Sequence, residues 1–368
     1  MRLALRLAAR ARGFTSPNPL VGAVLVRHGR ILGRGWHHRA GEPHAEIEAL
    51  RDAARRGFSA RGATLYVTLE PCCTHGRTPP CTEAILAAGL RRVVAATTDP
   101  NPRHAGRGFD RLRAAGLRVD TGLLAAEATR LNEAFNHWIV QGTPWVTLKC
   151  AMTLDGKIAT AAGESRWITG AAARARAQQL RLEADAVLVG VNTVLADDPA
   201  LTVRRPGAAD DPAAVLKPVR RLVLDARART PLTARLVSDA WAAWTTVFVS
   251  RRAPARRVAA LERRVRVVVA PEKDGRLDLQ WMLRRLGREG VTHLLVEGGG
   301  EVNASFFAAG RVHRVIFYYA PKVLGGRAAP KAVAGEGFCA WSEIPRLRDL
   351  EWRRVGEDLW LTARVGAA

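Results

Sequence analysis

Residues 70–81 read EPCCTHGRTPPC, and residues 43–46, earlier in the chain, read PHAE. The later stretch holds three of the five cysteines of the 368-residue chain. A catalytic zinc ion is commonly held by three histidine and cysteine ligands, with one position left open for water. His44, Cys72 and Cys81 supply such a set. The spacing therefore predicts a zinc site in the first part of the chain.

Glu46 lies two positions after His44, and this spacing restricts where both side chains can serve one site. Residues two apart do not share a helix face, so the pair must lie at the first turn of a helix. Pro43 suits such a start. A glutamate there can carry a proton from water to a departing amine. Cys73 adjoins Cys72 and is expected to point elsewhere. Buried structural cysteines beside a surface histidine are the alternative, but they leave the H-A-E and P-C pairs unexplained.

The segments around this pattern alternate between strands and helices. Residues 20–26 and 31–36 read as a β-hairpin, and residues 44–57 carry a helical apolar stripe. A further helical segment over residues 123–141 ends at a G-T-P sequence, which places a domain boundary near Gly142. Residues 1–142 are therefore expected to form an α/β domain, a sheet covered by helices.

Residues 143–368 alternate again and predict a second α/β domain. Residues 205–218, rich in Pro, Ala and Asp, read as a surface loop. The sequence VEGGGEVNASF over 296–306 places glycines between a strand and a helix start, where backbone N–H groups can meet a diphosphate. The G-x-G-x-x-G pattern of a Rossmann dinucleotide fold is not present.

Composition places the chain among ordinary globular proteins, with 48% hydrophobic and 25% charged residues. The sequence holds no apolar run near the roughly 18 residues that a membrane span needs, so we expect a soluble protein with no membrane partner. Five cysteines, three of them clustered, do not make a disulfide framework for this length. A reducing compartment, the cytoplasm, fits better. The arginine-rich N-terminus reads as a first helix in preference to a targeting peptide.

The formal net charge of +23 raises a nucleic-acid hypothesis, because such a field attracts phosphate polymers. Only six of the 57 basic residues are lysines, and the arginines are spread among acids without a basic run. An arginine bias in composition and an anionic small substrate account for the charge better. No nucleic-acid partner is expected.

The H-A-E and P-C pairs resemble the signature of zinc deaminases acting on nucleobases, although the second cysteine lies well beyond the usual two-residue spacer. Beyond that, the chain closely resembles the bifunctional deaminase-reductase family of riboflavin biosynthesis. The resemblance covers nearly the whole chain in ordered segments: TSPNPLVGAV, AGEPHAEIEAL, TLEPCCTHGRTPPC, DPNPRHAGRG, TLDGKIAT, GESRWITG, NTVLADDPALTVR and VEGGGEVNASF.

For the first domain, the resemblance implies a cytidine-deaminase-like α/β/α fold with a mixed sheet. It implies zinc-dependent hydrolysis of the 2-amino group of a phosphoribosylated diaminopyrimidinone, with Glu46 as the catalytic residue. Asn18, His37 and His75 to Thr78 would contact the pyrimidine or the phosphate.

For the second domain, the resemblance implies a dihydrofolate-reductase-like α/β fold that uses NADPH to reduce the ribosyl group to a ribityl chain. The cofactor would be bound by Ala151, Trp167, Thr193, Asp197, Gly299, Gly300, Glu301, Val302, Asn303, Ala304 and Ser305. The substrate would be bound by Ser165, Arg181, Leu201, Arg204 and Glu297. The two arginines are candidate forks for its phosphate.

The resemblance also implies a phosphorylated pyrimidine as the partner molecule and a homo-oligomeric assembly. Two other functions remain as alternatives: a nucleic-acid editing deaminase with an accessory domain, and a non-catalytic zinc-stabilised binding protein. A chain in which only one of the two activities survives is a further possibility.

Overall fold

The computed structural model describes residues 1–76, 79–205 and 214–366. The chain divides into two compact units, Met1–Gly142 and Thr143–Ala368. Across the described residues, the model contains no helix with the length and apolar character that crossing a membrane requires.

The first unit is a mixed sheet flanked by helices. Its five strands lie in the order β2-β1-β3-β4-β5, with β1 antiparallel to β2 and β3, and with β3, β4 and β5 parallel. The elements are α1 (Arg2–Ala8), β1 (Gly22–Arg27), β2 (Arg30–Trp36), α2 (Ala45–Arg55), β3 (Thr64–Val67), α3 (Cys81–Ala87), β4 (Arg92–Ala95), α4 (Arg107–Ala114), β5 (Arg118–Thr121), α5 (Ala125–Leu131) and α6 (Glu133–Gln141).

Helix α2 packs directly on the backbone of β2 because glycines face it. A Cβ atom on Gly33 would lie 2.2 Å from the carbonyl oxygen of Ala49, and one on Gly35 would lie 2.3 Å from that of Ala45. The facing helix residues are small and fully buried, among them Ala45, Ala49 and Ala53. This close approach fixes where α2 begins relative to the sheet.

The predicted helix over 123–141 is two helices, α5 and α6, that meet at Asn132. The Asn132 side chain accepts a hydrogen bond from the Leu20 backbone nitrogen at 2.7 Å and donates to the Leu20 carbonyl at 2.9 Å. A side chain in a buried two-way bond to a distant loop competes with regular helix formation. The segment is helical, as predicted, and Asn132 divides it into two helices.

The second unit contains a nine-stranded sheet in the order β12-β11-β10-β7-β15-β6-β16-β18-β17. The first seven of these strands are parallel to their neighbours, and β18 runs antiparallel to β16 and β17. Two further pairs, β8–β9 and β13–β14, form separate two-stranded sheets. The strands of the unit are β6 (Trp145–Thr153), β7 (Ala186–Gly190), β8 (Val203–Arg204), β9 (Val215–Lys217), β10 (Arg220–Leu224), β11 (Thr245–Val249), β12 (Arg266–Val269), β13 (Glu272–Lys273), β14 (Arg276–Leu277), β15 (His293–Val296), β16 (Arg314–Ala320), β17 (Leu347–Val355) and β18 (Asp358–Val365).

The helices of this unit cover both faces of the parallel part of the sheet. They are α7 (Ala171–Glu183), α8 (Val191–Asp197), α9 (Arg235–Ser238), α10 (Ala255–Glu262), α11 (Leu279–Arg288) and α12 (Gly300–Ala308). Alternate residues of β7 belong to two separate cores, Leu188 to one and Val187 and Val189 to the other. Burial on both faces is what a parallel sheet requires.

The predicted loop 205–218 lies partly outside the described residues, since residues 206–213 are not described. Its end is a strand, because Val215–Lys217 forms β9 and pairs with β8. The carboxyl ends of the parallel strands β7, β15 and β6 lie side by side. Ligands of open parallel sheets bind at such an edge.

Candidate functional sites

A cluster of three metal-ligand atoms lies in the first unit. The donor atoms of His44, Cys72 and Cys81 all lie within 4.8 Å of one another. The His44 Nδ1 is 3.5 Å from the Cys72 Sγ and 3.3 Å from the Cys81 Sγ. Tetrahedral zinc with bonds of about 2.3 Å to sulfur and about 2.05 Å to nitrogen would place such atoms about 3.6 Å apart. The donor set and its spacing fit zinc.

Each ligand lies at the end of an element. His44 is the N-cap residue of α2, Cys81 is the first residue of α3, and Cys72 follows the strand β3. The Cys81 backbone nitrogen donates to the Cys72 Sγ at 3.2 Å. The hydrogen bond between the two cysteine side chains, acting against burial, lowers the pKa of Cys72 to about 4, while the same contact raises the pKa of Cys81. This contact therefore favours Cys72 as the thiol of the pair that loses its proton more readily.

Glu70 holds the segment that carries Cys72. Its buried carboxylate accepts hydrogen bonds from the backbone nitrogens of Asp99, Gly106 and Gly108 at 2.8 to 3.0 Å. Three N–H donors satisfy a buried carboxylate, which would otherwise be costly. The E-P-C segment is thus tied to the start of α4.

Glu46 lies in the first turn of α2, beside the cluster and almost fully buried. Burial raises the pKa of Glu46 to about 7, and the negative charge of Cys72 adds to this effect. A carboxyl group with a pKa near neutrality can both accept and donate a proton at working pH. The geometry therefore suits a general acid and base.

His37 and Asn18 lie next to this cluster. The His37 ring packs edge-on to the His44 ring, with the ring centroids 5.2 Å apart. Burial lowers the pKa of His37, which favours the neutral ring. The Nδ1 then donates to the Pro43 carbonyl at 3.1 Å, so the Nε2 accepts from the Asn18 amide at 3.0 Å. The two side chains hold each other in one orientation.

The second unit contains a cavity of about 660 Å³. It lies over the carboxyl ends of β6, β7 and β15 and against α7. The following predicted residues line it: Ala151, Ser165, Trp167, Arg181, Thr193, Asp197, Leu201, Arg204, Glu297 and Gly299.

A buried ion pair forms one wall of the cavity. Arg181 donates to both carboxylate oxygens of Glu297, at 2.6 and 2.9 Å, and the Lys149 Nζ lies 3.8 Å from the same carboxylate. Burial alone would raise the pKa of Glu297, but the charges of Arg181 and Lys149 lower it to about 2. Glu297 is therefore ionised at neutral pH. Because Arg181 is committed to Glu297, it is not a free phosphate fork.

Another part of the lining is built from the loop before α7 and from α8. The Ser165 hydroxyl donates to the Asp197 carboxylate at 2.5 Å, and Arg166 donates to the Asp197 carbonyl. The Trp167 side chain is 64% exposed, with the Arg174 guanidinium 4.5 Å from its ring centroid. The cavity lining therefore includes an exposed aromatic side chain in contact with an arginine.

The glycine-rich turn before α12 brings backbone close to the cavity. A Cβ atom on Gly299 would lie 3.3 Å from the Thr193 hydroxyl, and one on Gly300 would lie 2.1 Å from the Lys331 carbonyl oxygen. Helix α12 begins there, and its N-terminal N–H groups and dipole favour an anion. Such a cradle fits the diphosphate of a dinucleotide.

Known proteins resemble each half of the chain. The family model of the RibD C-terminal domain matches residues 144–361, and that of the cytidine and deoxycytidylate deaminase zinc-binding region matches residues 1–97. The riboflavin biosynthesis protein RibD of Bacillus amyloliquefaciens is 43% identical, over 99% of this chain and 95% of that protein. The RibD of Escherichia coli is 43% identical, over 98% of this chain and 97% of that protein. This chain belongs to the RibD family.

Solved structures agree over the full length of this RibD-family chain. Acinetobacter baumannii RibD, form 1, has a TM-score of 0.86 at 36% identity, covering 100% of this chain and 98% of that one. A diaminohydroxyphosphoribosylaminopyrimidine deaminase/5-amino-6-(5-phosphoribosylamino)uracil reductase from Thermotoga maritima has a TM-score of 0.82 at 34% identity, covering 100% and 97%. The predicted family and the fold class, a deaminase-like α/β domain followed by a reductase-like α/β domain, are confirmed.

The cofactor predictions also agree with this RibD-family assignment. The zinc-binding deaminase region and the reductase domain fit Zn²⁺ and NADPH, and the first unit contains the His/Cys/Cys cluster that zinc needs.

Some predicted contacts lie away from the cavity lining. Within α12, Asn303 is buried and donates to the Ala332 carbonyl at 2.7 Å, and Ser305 accepts from Arg276 at 2.9 Å. The other predicted residues of this turn and helix are also absent from the cavity lining: Gly300, Glu301, Val302 and Ala304. A helix presents only one end and one face to a ligand, so a run of consecutive residues cannot all contact it. In the first unit, His75 is exposed, and residues 77 and 78 lie outside the described residues.

The structure also adds residues that the sequence reasoning missed. Lys149 and Tyr318 line the cavity from adjacent strands. Lys149 alternates with the buried Leu148 and Cys150 in β6, and a charged residue inside an apolar strand is a usable signal. Cys73 is not part of the metal cluster, and its Sγ lies 3.6 Å from the Nδ1 of His104.

Proposed function

We propose that this chain catalyses two consecutive steps of riboflavin biosynthesis, with residues 1–142 as the deaminase domain and residues 143–368 as the reductase domain. The first step would hydrolyse the 2-amino group of 2,5-diamino-6-(5-phosphoribosylamino)pyrimidin-4(3H)-one. The second would reduce the ribosyl side chain of the product to ribityl. The supporting observation is that Glu46 lies beside a zinc-compatible cluster in the same chain as a reductase-type cavity.

In the deaminase, His44, Cys72 and Cys81 would hold zinc, which makes water reactive at neutral pH. Glu46 would accept a proton from the attacking water and deliver it to the departing amino group. The products are then a ring carbonyl and ammonia. Asn18 and His37, held by their mutual hydrogen bond, would orient the pyrimidine. His75 would complete the substrate contacts.

In the reductase, NADPH would supply the hydride. The turn at Gly299 and the N-terminal end of α12 would bind its diphosphate, while Trp167, Thr193, Asp197 and Ala151 line its path. The substrate would lie against Ser165, Leu201, Arg204 and the Arg181–Glu297 pair. Arg181 is bound to Glu297, and Arg204, which also lines the cavity, is a candidate for the phosphate contact.

The test is a two-step assay on the purified, zinc-loaded protein. Ammonia release from the diaminopyrimidine substrate, followed by NADPH oxidation with the deaminated intermediate, supports both steps. Deamination of cytosine or adenine in RNA, without activity on the small substrate, would overturn the proposal in favour of nucleic-acid editing. If deamination is normal but NADPH is not oxidised, the proposed function is restricted to the first step.

We also propose a homo-oligomer that acts in the cytoplasm. Oligomerisation is supported by the edge strand β17, in which seven of nine residues are exposed. Trp352 and Leu350 in this strand are 56% and 50% exposed. Light scattering of the purified chain would reveal a monomer if this part of the proposal is wrong. The five free cysteines support a reducing compartment.

A further inference from the structure

The sequence TLDGK over residues 153–157 ends strand β6 and has no role in either proposed reaction. Asp155 accepts three hydrogen bonds there: from the Thr153 hydroxyl at 2.6 Å, and from the backbone nitrogens of Leu324 and Gly325 at 3.0 and 2.7 Å. These bonds, that of Thr153 first, lower the pKa of Asp155 to about 2, so the carboxylate is charged at working pH. Asp155 therefore binds the segment that follows β16 through its backbone N–H groups.

A backbone hydrogen bond also joins this segment to the end of β6. The Leu154 backbone nitrogen donates to the Lys322 carbonyl at 2.8 Å. Strands β6 and β16 are parallel neighbours, so their carboxyl ends lie together at the edge of the sheet that carries the cavity. The bonds from Leu154 and to Asp155 thus hold the backbone at Lys322 and at the residues that follow it.

The Lys322 ammonium group reaches from this position to the wall of the cavity. Its Nζ donates to the Trp167 carbonyl at 3.1 Å and to the Ile168 carbonyl at 2.9 Å. The Trp167 side chain is largely exposed, so burial contributes little to fixing it. Hydrogen bonds from the Lys322 side chain to two backbone carbonyls thus hold this wall together with the Arg174 guanidinium, which contacts the Trp167 ring.

We propose that Lys322, seated by Asp155, is a positioning residue for NADPH: it holds the Trp167 backbone so that the indole forms the cofactor side of the cavity. The inference rests on the proposed reductase function. Lys322 does not touch the reacting atoms and acts through Trp167.

The principal test is Lys322→Met, which keeps the length of the side chain and removes the donors. We expect the KM for NADPH to rise about three- to tenfold, the loss of one or two hydrogen bonds. The KM for the pyrimidine substrate should stay within about twofold. Lys322→Arg, which keeps a cationic donor, should recover part of the loss. Deamination by the same preparation should be unchanged and serves as the internal standard for folded enzyme.

Lys273→Met is the matched control for the loss of one positive charge. Lys273 is exposed in the two-stranded hairpin β13–β14, away from the cavity lining. The control should leave the KM for NADPH unchanged. If it raises this KM as much as Lys322→Met does, long-range attraction of the anionic cofactor explains the effect and the proposal fails.

Asp155→Asn separates positioning from a long-range field effect. This variant removes a negative charge, so a field effect would lower the KM for NADPH. Positioning predicts that the KM for NADPH rises. It also predicts that a variant with both Asp155→Asn and Lys322→Met has a KM little higher than the worse of the two single variants, because both substitutions disturb the same contact with Trp167.

An unchanged or lowered KM in Asp155→Asn, a fully additive double variant, or an unchanged KM in Lys322→Met would each overturn the inference. These results are all read against a wild type that oxidises NADPH. A wild type without that activity would instead overturn the proposed reductase function.

Discussion

The zinc cluster and the reductase cavity are built in different ways. The cluster takes His44, Cys72 and Cys81 from the ends of successive elements, and its side chains make the site by themselves. The cavity collects residues from Lys149 to Tyr318 along the chain and relies on backbone, one buried ion pair and hydrogen-bonded loops. The first site depends on three side chains, so removing one ligand or the metal should disable it. The second depends on many residues and backbone segments spread along the chain.

Metal removal should produce the largest contrast between the two sites. We expect a chelator to abolish deamination, while NADPH oxidation with supplied deaminated intermediate persists. Among the described residues, the one metal-ligand cluster found lies in the first unit. Readdition of zinc should restore deamination, and circular dichroism should show that the fold persists. Equal loss of both activities in a folded protein would contradict the separation.

Glu46→Gln should be next in size. Loss of a positioned general acid and base costs about 10²- to 10⁴-fold in rate, so kcat for deamination should fall by that factor. Zinc content, measured by atomic absorption, and the reductase rate should not change. Glu48→Gln is the control in the same helix, because Glu48 pairs with Arg51 at 3.1 Å. A zinc-stabilised binding protein without catalysis would show no loss in either variant.

Glu297→Gln tests the support of the second site. Removing one partner of a buried ion pair leaves Arg181 uncompensated and costs about 3–5 kcal/mol of folding free energy. Denaturant unfolding should show this loss together with a loss of reductase activity. Glu289→Gln is a matched control, because Glu289 also pairs with arginines but is partly exposed, and it should cost about 1 kcal/mol or less. Equal costs would contradict the role of burial.

Lowering the pH should weaken the same Arg181–Glu297 pair and reduce the free energy of unfolding by less than Glu297→Gln does. The pKa of Glu297 is about 2 in the folded chain against 4.5 for an ordinary glutamate, a difference of about 3 kcal/mol. A lowered pKa contributes stability that is fully present above pH 4.5 and lost as the pH falls toward 2. The free energy of unfolding should therefore fall more steeply over this range in the wild type than in Glu297→Gln. Identical slopes would show that Glu297 is not ionised in the fold.

The zinc site could be read from sequence because its rules are local. A two-residue spacing of His44 and Glu46 needs a helix start, and the structure has His44 as the N-cap residue. The two α/β units follow from strand and helix periodicity. The RibD-family resemblance supplied the cavity residues, most of which the structure brings together.

The rest depended on contacts between distant residues, which local patterns do not encode. The break between α5 and α6 comes from Asn132 bonding Leu20, which lies 112 positions away. The commitment of Arg181 to Glu297 joins residues 116 positions apart, so the arginine looked free for phosphate. The role of Asp155 could not be predicted from sequence because its partners, Leu324 and Gly325, lie 169 and 170 positions further along the chain.

The contact of α2 with Gly33 and Gly35 has a consequence for engineering. Main-chain atoms, not side chains, set the height of this helix above the sheet, so repacking the neighbouring interior will not move His44 or Glu46. Under the proposed substrate contacts, a change of base specificity requires changes in the loops around Asn18 and His37. Any side chain added at Gly35 would displace α2 and with it Glu46.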